Sequence, residues 1–437
     1  MGVVVCCRRR RPRFTVIGYC KEIFLSLIVK DRIPHIRFHV DPIFKEELEK
    51  LPWSIPVADW HRYGVTMLNI KRGMSRHEVV FVRTGRFSFC VKEISEEISK
   101  KEINHYEHLL MLGIHTLVPA GYIIREEEPL AVATPVGIQY QVNNISHTIT
   151  VLVNKVLPDS LLYSRNFRAE TRRKIWDAII RLFVQLHSNG VYWGDASLAN
   201  TLIKFEKQMV PFVGPQTVLM AYLSDAETVE IRPKLSKSMR EEDLNFFFES
   251  MDWVNEDLRK DGVVRDDAGM DEDKGYIKER YAMLYGVEMK KKKFERLTSF
   301  NVDRFLGGIF NPAYVDQFLR HIEEHRWYLG ERMKRDVSLA EATRDWYETI
   351  FVPICELFRT ERILDLFKGK TAAEMYIEIM NNKYYLSERA GRDVGMIAAM
   401  NDYALKFGAA EQNKSLFAHL ADGMMKILGL KESVLLR

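Results

Sequence analysis

The stretch HSNGVYWGDASLANTLI, residues 187–203, sets an aspartate and an asparagine five residues apart between a helix pattern and a strand pattern. Residues 170–187 carry apolar side chains at helical spacing, and the Asn-Gly pair just after them is a helix stop and turn signal. The segment TLIKF that follows has the composition of a strand. A D-x-x-x-x-N loop lets its aspartate face an acceptor group while the asparagine turns back to a metal ion. We therefore expect Asp195 to be a catalytic base and Asn200 a metal ligand.

A second carboxylate for the metal follows downstream. The segment AYLSDAE places Asp225 at the end of an apolar strand pattern, where phosphoryl transfer needs a metal-binding carboxylate. No Phe-Gly follows this aspartate, and its long separation from Asn200 indicates an enlarged hairpin loop between two strands. The two side chains are the expected ligands of Mg²⁺.

A strand lysine and a helix glutamate are expected upstream to hold the nucleotide. Lys92 lies in FCVKEI, the last of three short β-rich runs that predict a meander. Residues 96–112 predict a helix, with Glu107 on the apolar face that must pack inward. We expect Glu107 to pair with Lys92, whereas a shift of register would bring in Glu102 instead.

The segment KRGMSRH stands where a glycine-rich phosphate loop would lie, although it has one glycine. Its backbone amides at Gly73, with Ser75 and Arg76, are candidates for binding phosphate. A plain basic hairpin turn is an equally good interpretation of this segment.

The order of elements predicts an α+β chain with a protein-kinase-like bilobal fold and an all-α C-terminal domain. Residues 1–35 are interpreted as an N-terminal extension and 36–156 as a small mixed β lobe. Residues 157–260 would form the larger lobe, and 261–437 the helical domain.

An internal repeat is the strongest signal in the last third of the chain. The sequence HRWYLGERMKRDVSLAEATRDW from His325 recurs 57 residues later as NKYYLSERAGRDVGMIAAMNDY from Asn382. We expect a two-fold repeat near 310–350 and 367–407, because a single helical unit of this size cannot bury its apolar face alone. One function that such a helical repeat can serve is to bind a protein partner.

The charge balance excludes one class of function and leaves another open. A net charge of +4 over 437 residues does not indicate a protein that binds nucleic acid by neutralising phosphates. Two basic clusters, Arg8–Arg11 with Arg13 and Lys290–Lys293, are candidates for peripheral contact with anionic lipid, although solvated charge is the commoner explanation.

Cysteine usage and apolar run lengths bear on location. Five cysteines without a CxxC pair argue against a zinc site or a disulfide framework and favour a reducing, cytoplasmic setting. No stretch approaches the roughly 20 apolar residues that span a bilayer.

Three stretches of the chain resemble a known family: RGMSRHEVVFV running into VKEI, then YWGDASLANTL, then AYLSDAETVE. This is a bacterial family of uncharacterised proteins whose N-terminal half is similar to the lipopolysaccharide-kinase branch of the protein-kinase-like superfamily. The phrase SERAGRDVG resembles that family's second domain. The resemblance implies the fold, ATP and magnesium at Lys92, Glu107, Asp195, Asn200 and Asp225, and it names no substrate.

The sequence therefore predicts an ATP- and magnesium-dependent phosphotransferase acting on a hydroxyl of a sugar, a lipid-linked saccharide or another small molecule. A protein kinase is an alternative, although no APE-type segment or recognisable activation loop follows Asp225. A nucleotide-binding pseudokinase or scaffold acting through the helical repeat is a second alternative, which the glycine-poor KRGMSRH turn supports.

Overall fold

The computed structural model describes residues 34–70, 77–127, 130–134, 137–141, 144–165, 167–210, 214–262, 267–302, 314–367 and 370–408. The strands are β1 (Ile36–Val40), β2 (Thr66–Met67), β3 (Val79–Thr84), β4 (Phe87–Ser95), β5 (Val118–Arg125), β6 (Leu130–Thr134), β7 (Gly137–Gln141), β8 (Ile145–Val151), β9 (Val156–Pro158), β10 (Val191–Tyr192), β11 (Thr201–Val210), β12 (Gly214–Leu223) and β13 (Glu230–Ile231). The helices are α1 (Pro42–Leu48), α2 (Glu96–Met111), α3 (Asp159–Tyr163), α4 (Ala169–Ser188), α5 (Lys237–Lys260), α6 (Asp267–Thr298), α7 (Val315–Met333), α8 (Leu339–Trp346), α9 (Val352–Thr360), α10 (Ile363–Leu366), α11 (Ala372–Ala390) and α12 (Met396–Phe407), with a 3-10 helix at Val57–Tyr63 and a π-helical turn at Tyr347–Phe351.

A six-stranded antiparallel sheet organises the N-terminal part, in the order β1-β5-β8-β4-β3-β2. Strand β4 alternates as a half-covered strand should, with Phe89 and Val91 fully buried. They pack with Trp53 and Trp60 in one hydrophobic cluster. The predicted meander is therefore confirmed, although its first strand is only two residues long.

Helix α2 follows directly after β4. It starts at an N-cap, Ser95, whose hydroxyl accepts a hydrogen bond from the Ile98 amide. Its start and end agree with the predicted helix, and it contacts β4, β5 and β8. One face of α2 therefore packs against the six-stranded sheet.

A second sheet, β12-β11-β9, carries the residues after the D-x-x-x-x-N loop. Strands β11 and β12 pair over their whole length, from Thr201 opposite Leu223 to Val210 opposite Gly214. The long helix α4 precedes the loop and buries Trp176 and Phe183. Helix, loop and strand pair thus follow in the predicted order.

The chain divides into two compact units, one ending at Gly275 and the other beginning at Tyr276. Every secondary-structure element among the described residues of the second unit is a helix, and its core contains Phe318, Trp346, Phe358 and Tyr376, each no more than 1% exposed. A mixed α+β chain with a sheet-rich first part and a helical second part is therefore confirmed. The predicted domain ranges stay a prediction.

Two further predictions concern the two basic clusters of the chain. Residues 1–33, which hold most of the predicted extension and its arginine cluster, lie outside the described residues. The lysine run Lys290–Lys293 lies within α6. Among the described helices, none is long and apolar enough to cross a membrane.

Candidate functional site

Lys92 lies at the centre of the candidate site. It sits on β4 between Val79 of β3 and Thr148 of β8, and its side chain is 13% exposed. Its ammonium lies 3.2 Å from Glu102 Oε1 and 3.1 Å from Asp225 Oδ2. One lysine therefore joins the sheet, helix α2 and the segment after β12.

The charge of Lys92 is stabilised by these partners. Burial by itself lowers the pKa of the Lys92 ammonium, but attraction to Glu102 and Asp225 outweighs it and raises the pKa above its ordinary value. The lysine therefore keeps its positive charge.

The partner from α2 is Glu102, so the expected pairing of Lys92 with Glu107 is wrong. The inward face of α2 carries Glu102, Ile103 and Tyr106, all 5% exposed or less. Glu107 is exposed to solvent. The helix is rotated by about one residue from the predicted register, or roughly 100°, because the Tyr106 side chain takes the inward position.

The Glu102 side chain is buried. Its side chain is 1% exposed, and the Tyr106 hydroxyl, which has one proton to donate, lies within hydrogen-bond distance of two acceptors, Glu102 Oε1 at 3.0 Å and Ser224 O at 2.8 Å. Burial raises the pKa of Glu102 to about 7, with Lys92 opposing the rise and Asp225 adding to it.

Asp225 follows β12 in a turn that fixes its side chain. Its Oδ1 accepts a hydrogen bond from the Glu227 amide at 3.1 Å, while Oδ2 faces Lys92. The Glu227 carboxylate also reaches Lys92 Nζ at 3.5 Å and His77 Nε2 at 3.5 Å. The predicted metal-side aspartate is thus next to a second carboxylate.

A hydrogen bond from the Asn200 side chain to the backbone closes the D-x-x-x-x-N loop. Asn200 Nδ2 donates to the Asp195 carbonyl oxygen at 3.0 Å, and the Asn200 carbonyl oxygen accepts from the Ser224 amide at 3.0 Å. The latter bond ties the loop to the residue that precedes Asp225. The structure therefore brings Asp195, Asn200 and Asp225 into one region.

A buried aspartate from α5 braces this loop. Asp243 is 0% exposed and accepts hydrogen bonds from the Trp193 amide and the Gly194 amide, both at 2.8 Å, while His187 Nε2 lies 3.0 Å from its Oδ2. Gly194 has φ +79°, and a Cβ there would lie 3.0 Å from the Thr228 carbonyl oxygen. From the sequence, a solvated helix start is the favoured interpretation of Asp243 and a brace for the loop is the alternative. The structure shows the brace, because two loop amides need an acceptor.

The predicted phosphate loop cannot be placed, since Gly73, Ser75 and Arg76 lie outside the described residues. His77 is the first described residue after them and pairs with Glu227.

The donor set around Asp225 fits magnesium. Within the described residues, no group of three or more His, Cys, Asp and Glu side chains is arranged to hold a metal ion. Mg²⁺ ordinarily takes one or two carboxylates and completes its shell with water and phosphate oxygens, so a closed protein cage is not expected. Asp225 and the Asn200 amide supply oxygen donors of the required type.

Two residues of the site were missed or misjudged from the sequence. Glu227 was passed over, although its place two residues after Asp225 in the same SDAE segment was a usable signal. Burial of Asp243 had no sequence signal, because a lone acidic residue in a helix usually faces solvent.

Comparison with known proteins gives one partial family match. The family described as "Domain of unknown function (DUF4032)" matches residues 353–407, in the helical unit, and this range includes the SERAGRDVG phrase. No curated protein sequence matches the chain.

Among solved structures, the chain is similar to WaaP in complex with acyl carrier protein, at 14% identity and TM-score 0.32, covering 57% of this chain and 99% of that one. It is also similar to Rio2 kinase from Chaetomium thermophilum, at 15% identity and TM-score 0.28, covering 52% and 76%. The ADP/Mg²⁺-phosphoaspartate complex of that kinase gives 13% identity and TM-score 0.26, covering 52% and 74%. Identities and TM-scores this low carry no argument about the function of this chain.

Proposed function

We propose that this chain is an ATP- and magnesium-dependent phosphotransferase that acts on a hydroxyl of a sugar, a lipid-linked saccharide or another small molecule. The observation that carries the proposal is the Lys92 ammonium, which bonds both to the buried Glu102 and to Asp225. A lysine held by a helix glutamate beside a metal-side aspartate is the arrangement that aligns nucleotide phosphates in the protein-kinase type of site.

Each residue then has a chemical role. ATP and Mg²⁺, when bound, supply the phosphoryl group and the positive charge that neutralises it. Lys92 binds phosphate oxygens, and Asn200 and Asp225 would hold the metal. The Asp195 carboxylate would accept the proton that the acceptor hydroxyl loses as its oxygen bonds to the γ-phosphorus, while the bond from that phosphorus to the ADP oxygen breaks and ADP leaves.

The segment after Asp225 favours a small acceptor over a protein substrate. All residues from Asp225 to the start of α5 at Lys237 are described, and they contain the short strand β13 and lead straight into the helix. No long activation segment lies between them to dock a peptide, so the protein-kinase alternative lacks its usual platform.

Nucleotide binding and turnover test the proposal separately. Purified protein with MgATP should show a thermal shift and should release ADP with at least one member of a panel of sugars, lipid-linked saccharides and small alcohols. Asp195→Ala should abolish turnover and keep nucleotide binding, because the base acts on the acceptor. Lys92→Ala should weaken nucleotide binding instead.

Lys100→Ala is the matched control for Lys92→Ala, since Lys100 lies on α2 with its side chain 47% exposed and pairs with Glu96. It should bind MgATP like the unaltered chain. Absence of both MgATP binding and ADP release in the unaltered protein would refute the proposal, and normal turnover by Asp195→Ala would refute the role of the base.

We also propose that the helical unit contains the two-fold repeat. Its support is the bounds of the helices, since α7 and α11 begin and end 57 residues apart, the spacing of the sequence repeat. Both helices end in a left-handed cap, at Lys334 with φ 53° and at Gly391 with φ 64°.

Side-chain contacts at matching positions give the repeat further support. His325 Nε2 lies 2.6 Å from Asp345 Oδ2, and Asn382 Nδ2 donates to Asp402 Oδ2 at 2.9 Å. Each bond joins the longer helix of a pair to the shorter one, at residues that the sequence repeat aligns.

A scaffold function is the second candidate, and exposed aromatic pairs at matching positions favour it. Trp327 and Tyr328 are 61% and 65% exposed, and Tyr384 and Tyr385 are 65% and 63% exposed. Tryptophan and tyrosine are enriched among the residues that dominate protein interfaces. MgATP binding without ADP release in the presence of any acceptor would favour this candidate over the enzyme.

A further inference from the structure

Glu227 and Asp225 direct two carboxylates at the same ammonium. Asp225 Oδ2 lies 3.1 Å and Glu227 Oε2 lies 3.5 Å from Lys92 Nζ. The hydrogen bond from the Glu227 amide to Asp225 Oδ1 fixes the turn between them. Both side chains are partly covered, at 28% and 23% exposed. They are therefore held on one side of the site and not splayed into solvent.

The carboxylates outnumber the cation that they surround. Glu102 meets Lys92 from the opposite element, α2, and its second oxygen, Oε2, has no hydrogen-bond partner among the described residues, although the side chain is 1% exposed. One ammonium thus faces three carboxylates. The imidazole of His77, 3.5 Å from Glu227, adds a full charge only when protonated.

The imbalance between three carboxylates and one ammonium becomes larger when a phosphate group binds the Lys92 ammonium. The ammonium cannot pair fully with phosphate oxygens and with both carboxylates of the Asp225 turn at once. Two partly covered carboxylates left without a cation repel each other and the phosphates, which is unfavourable until another cation replaces the ammonium. A divalent ion bridging carboxylate and phosphate oxygens meets this need, and Mg²⁺ is ordinarily bound in this way.

We infer that Glu227, together with Asp225, faces the divalent cation that accompanies the nucleotide, either as a direct ligand or through a metal-bound water. This inference rests on the proposed function and extends its metal site by one residue. In the nucleotide-free chain the Lys92 ammonium stands in for that cation.

A different role for Glu227 predicts the opposite change in nucleotide affinity when its charge is removed. If Glu227 merely occupies Lys92 and His77 in place of phosphate, removing its charge removes a competitor and strengthens nucleotide binding at every magnesium concentration. If it faces the metal, removing its charge weakens only the magnesium-dependent part of binding. The metal dependence of affinity separates the two roles.

The test compares Glu227→Gln with Glu230→Gln in the full chain. Gln keeps the size of the side chain and removes its charge. Glu230 lies three residues away on β13, is exposed and pairs with Arg232, so it is a matched control outside the site. ATP affinity is measured by calorimetry over a magnesium series and with EDTA, and Mn²⁺ binding in the presence of ATP is measured by electron paramagnetic resonance.

We expect Glu227→Gln to raise the magnesium concentration for half-maximal ATP binding and the Mn²⁺ dissociation constant, each by about 10-fold, with Glu230→Gln unchanged. Glu227→Asp, which keeps the charge, should recover part of the loss and also guards against a folding defect in the Gln variant. Equal magnesium dependence in the Gln variant and its control, or tighter ATP binding under all conditions, overturns the inference while leaving the proposed function intact. A parent chain that binds no MgATP overturns both.

Discussion

The two sides of the candidate site are held together by different kinds of interaction. On the side of the D-x-x-x-x-N loop, the fully buried Asp243 accepts hydrogen bonds from two loop amides. On the other side, the Lys92 ammonium is shared among three carboxylates at 3.1 to 3.5 Å. Backbone donors have no alternative acceptor in a buried loop, whereas an ammonium can exchange carboxylates for phosphate. The comparison indicates a fixed D-x-x-x-x-N loop on one side and, on the other, a lysine ammonium whose partners can change.

The largest expected effect is on the fixed side, from Asp243→Ala. The change leaves the Trp193 and Gly194 amides without their buried acceptor, so the free energy of unfolding should fall by about 3–5 kcal/mol. Urea denaturation followed by tryptophan fluorescence measures it. Asp252→Ala on the same helix, at a side chain 49% exposed, should cost less than about 1 kcal/mol. Equal losses in the two variants would contradict the brace.

A second buried carboxylate, Asp159, lacks the donors that Asp243 has and should make stability depend on pH. It is 0% exposed, and neither of its oxygens has a hydrogen-bond partner among the described residues. Burial raises the pKa of Asp159 from 3.8 to about 8. The folded chain therefore holds this proton over a range where the unfolded chain releases it.

The sign follows from that difference. Because the folded pKa is the higher one, the stabilising contribution is complete below the unfolded pKa near 3.8 and is lost as the pH rises toward about 8. The expected slope is a loss of about 1.4 kcal/mol per pH unit in this window. Asp159→Asn should remove the Asp159 part of this slope and leave the part that the raised pKa of Glu102 contributes, measured by urea denaturation at a series of pH values. Asp257→Asn, at an exposed position, should keep the whole slope. Parallel profiles for the parent and Asp159→Asn would argue against an uncharged Asp159.

The smallest effect on stability is expected from Glu102→Gln, beside Lys92, and this change should act mainly on nucleotide affinity. Glu102→Gln should weaken MgATP binding by about 10-fold, or about 1.4 kcal/mol, because Lys92 loses its partner from α2. Its effect on unfolding should stay within about 1 kcal/mol, since the carboxyl is costly to keep charged where it lies.

Glu107→Gln is its matched control, five residues further along the same helix and exposed to solvent. It should leave MgATP affinity, measured by calorimetry, unchanged. A loss of affinity in Glu107→Gln with none in Glu102→Gln would restore the pairing expected from the sequence.

The elements of the site were predictable to the extent that local patterns specify them. The strand with Lys92, the helix after it, and the loop with Asp195 and Asn200 were all placed correctly, because alternation, helical spacing and turn residues are local properties. The choice between Glu107 and Glu102 failed. One apolar stripe on α2 fits two registers, and the buried Tyr106 that decides between them was not expected to take the inward position.

The sequence by itself determined which chemical groups this protein has and their order along the chain: a strand lysine, an aspartate and an asparagine five residues apart, and a further aspartate. Only the tertiary structure decided which of the acidic residues meet. Glu102 from α2 meets Lys92 on β4 together with Asp225 and Glu227 from the turn after β12, and Asp243 reaches the loop from α5. The physical reason is that burial converts ordinary carboxylates into specific partners, and burial depends on packing between segments far apart in the chain.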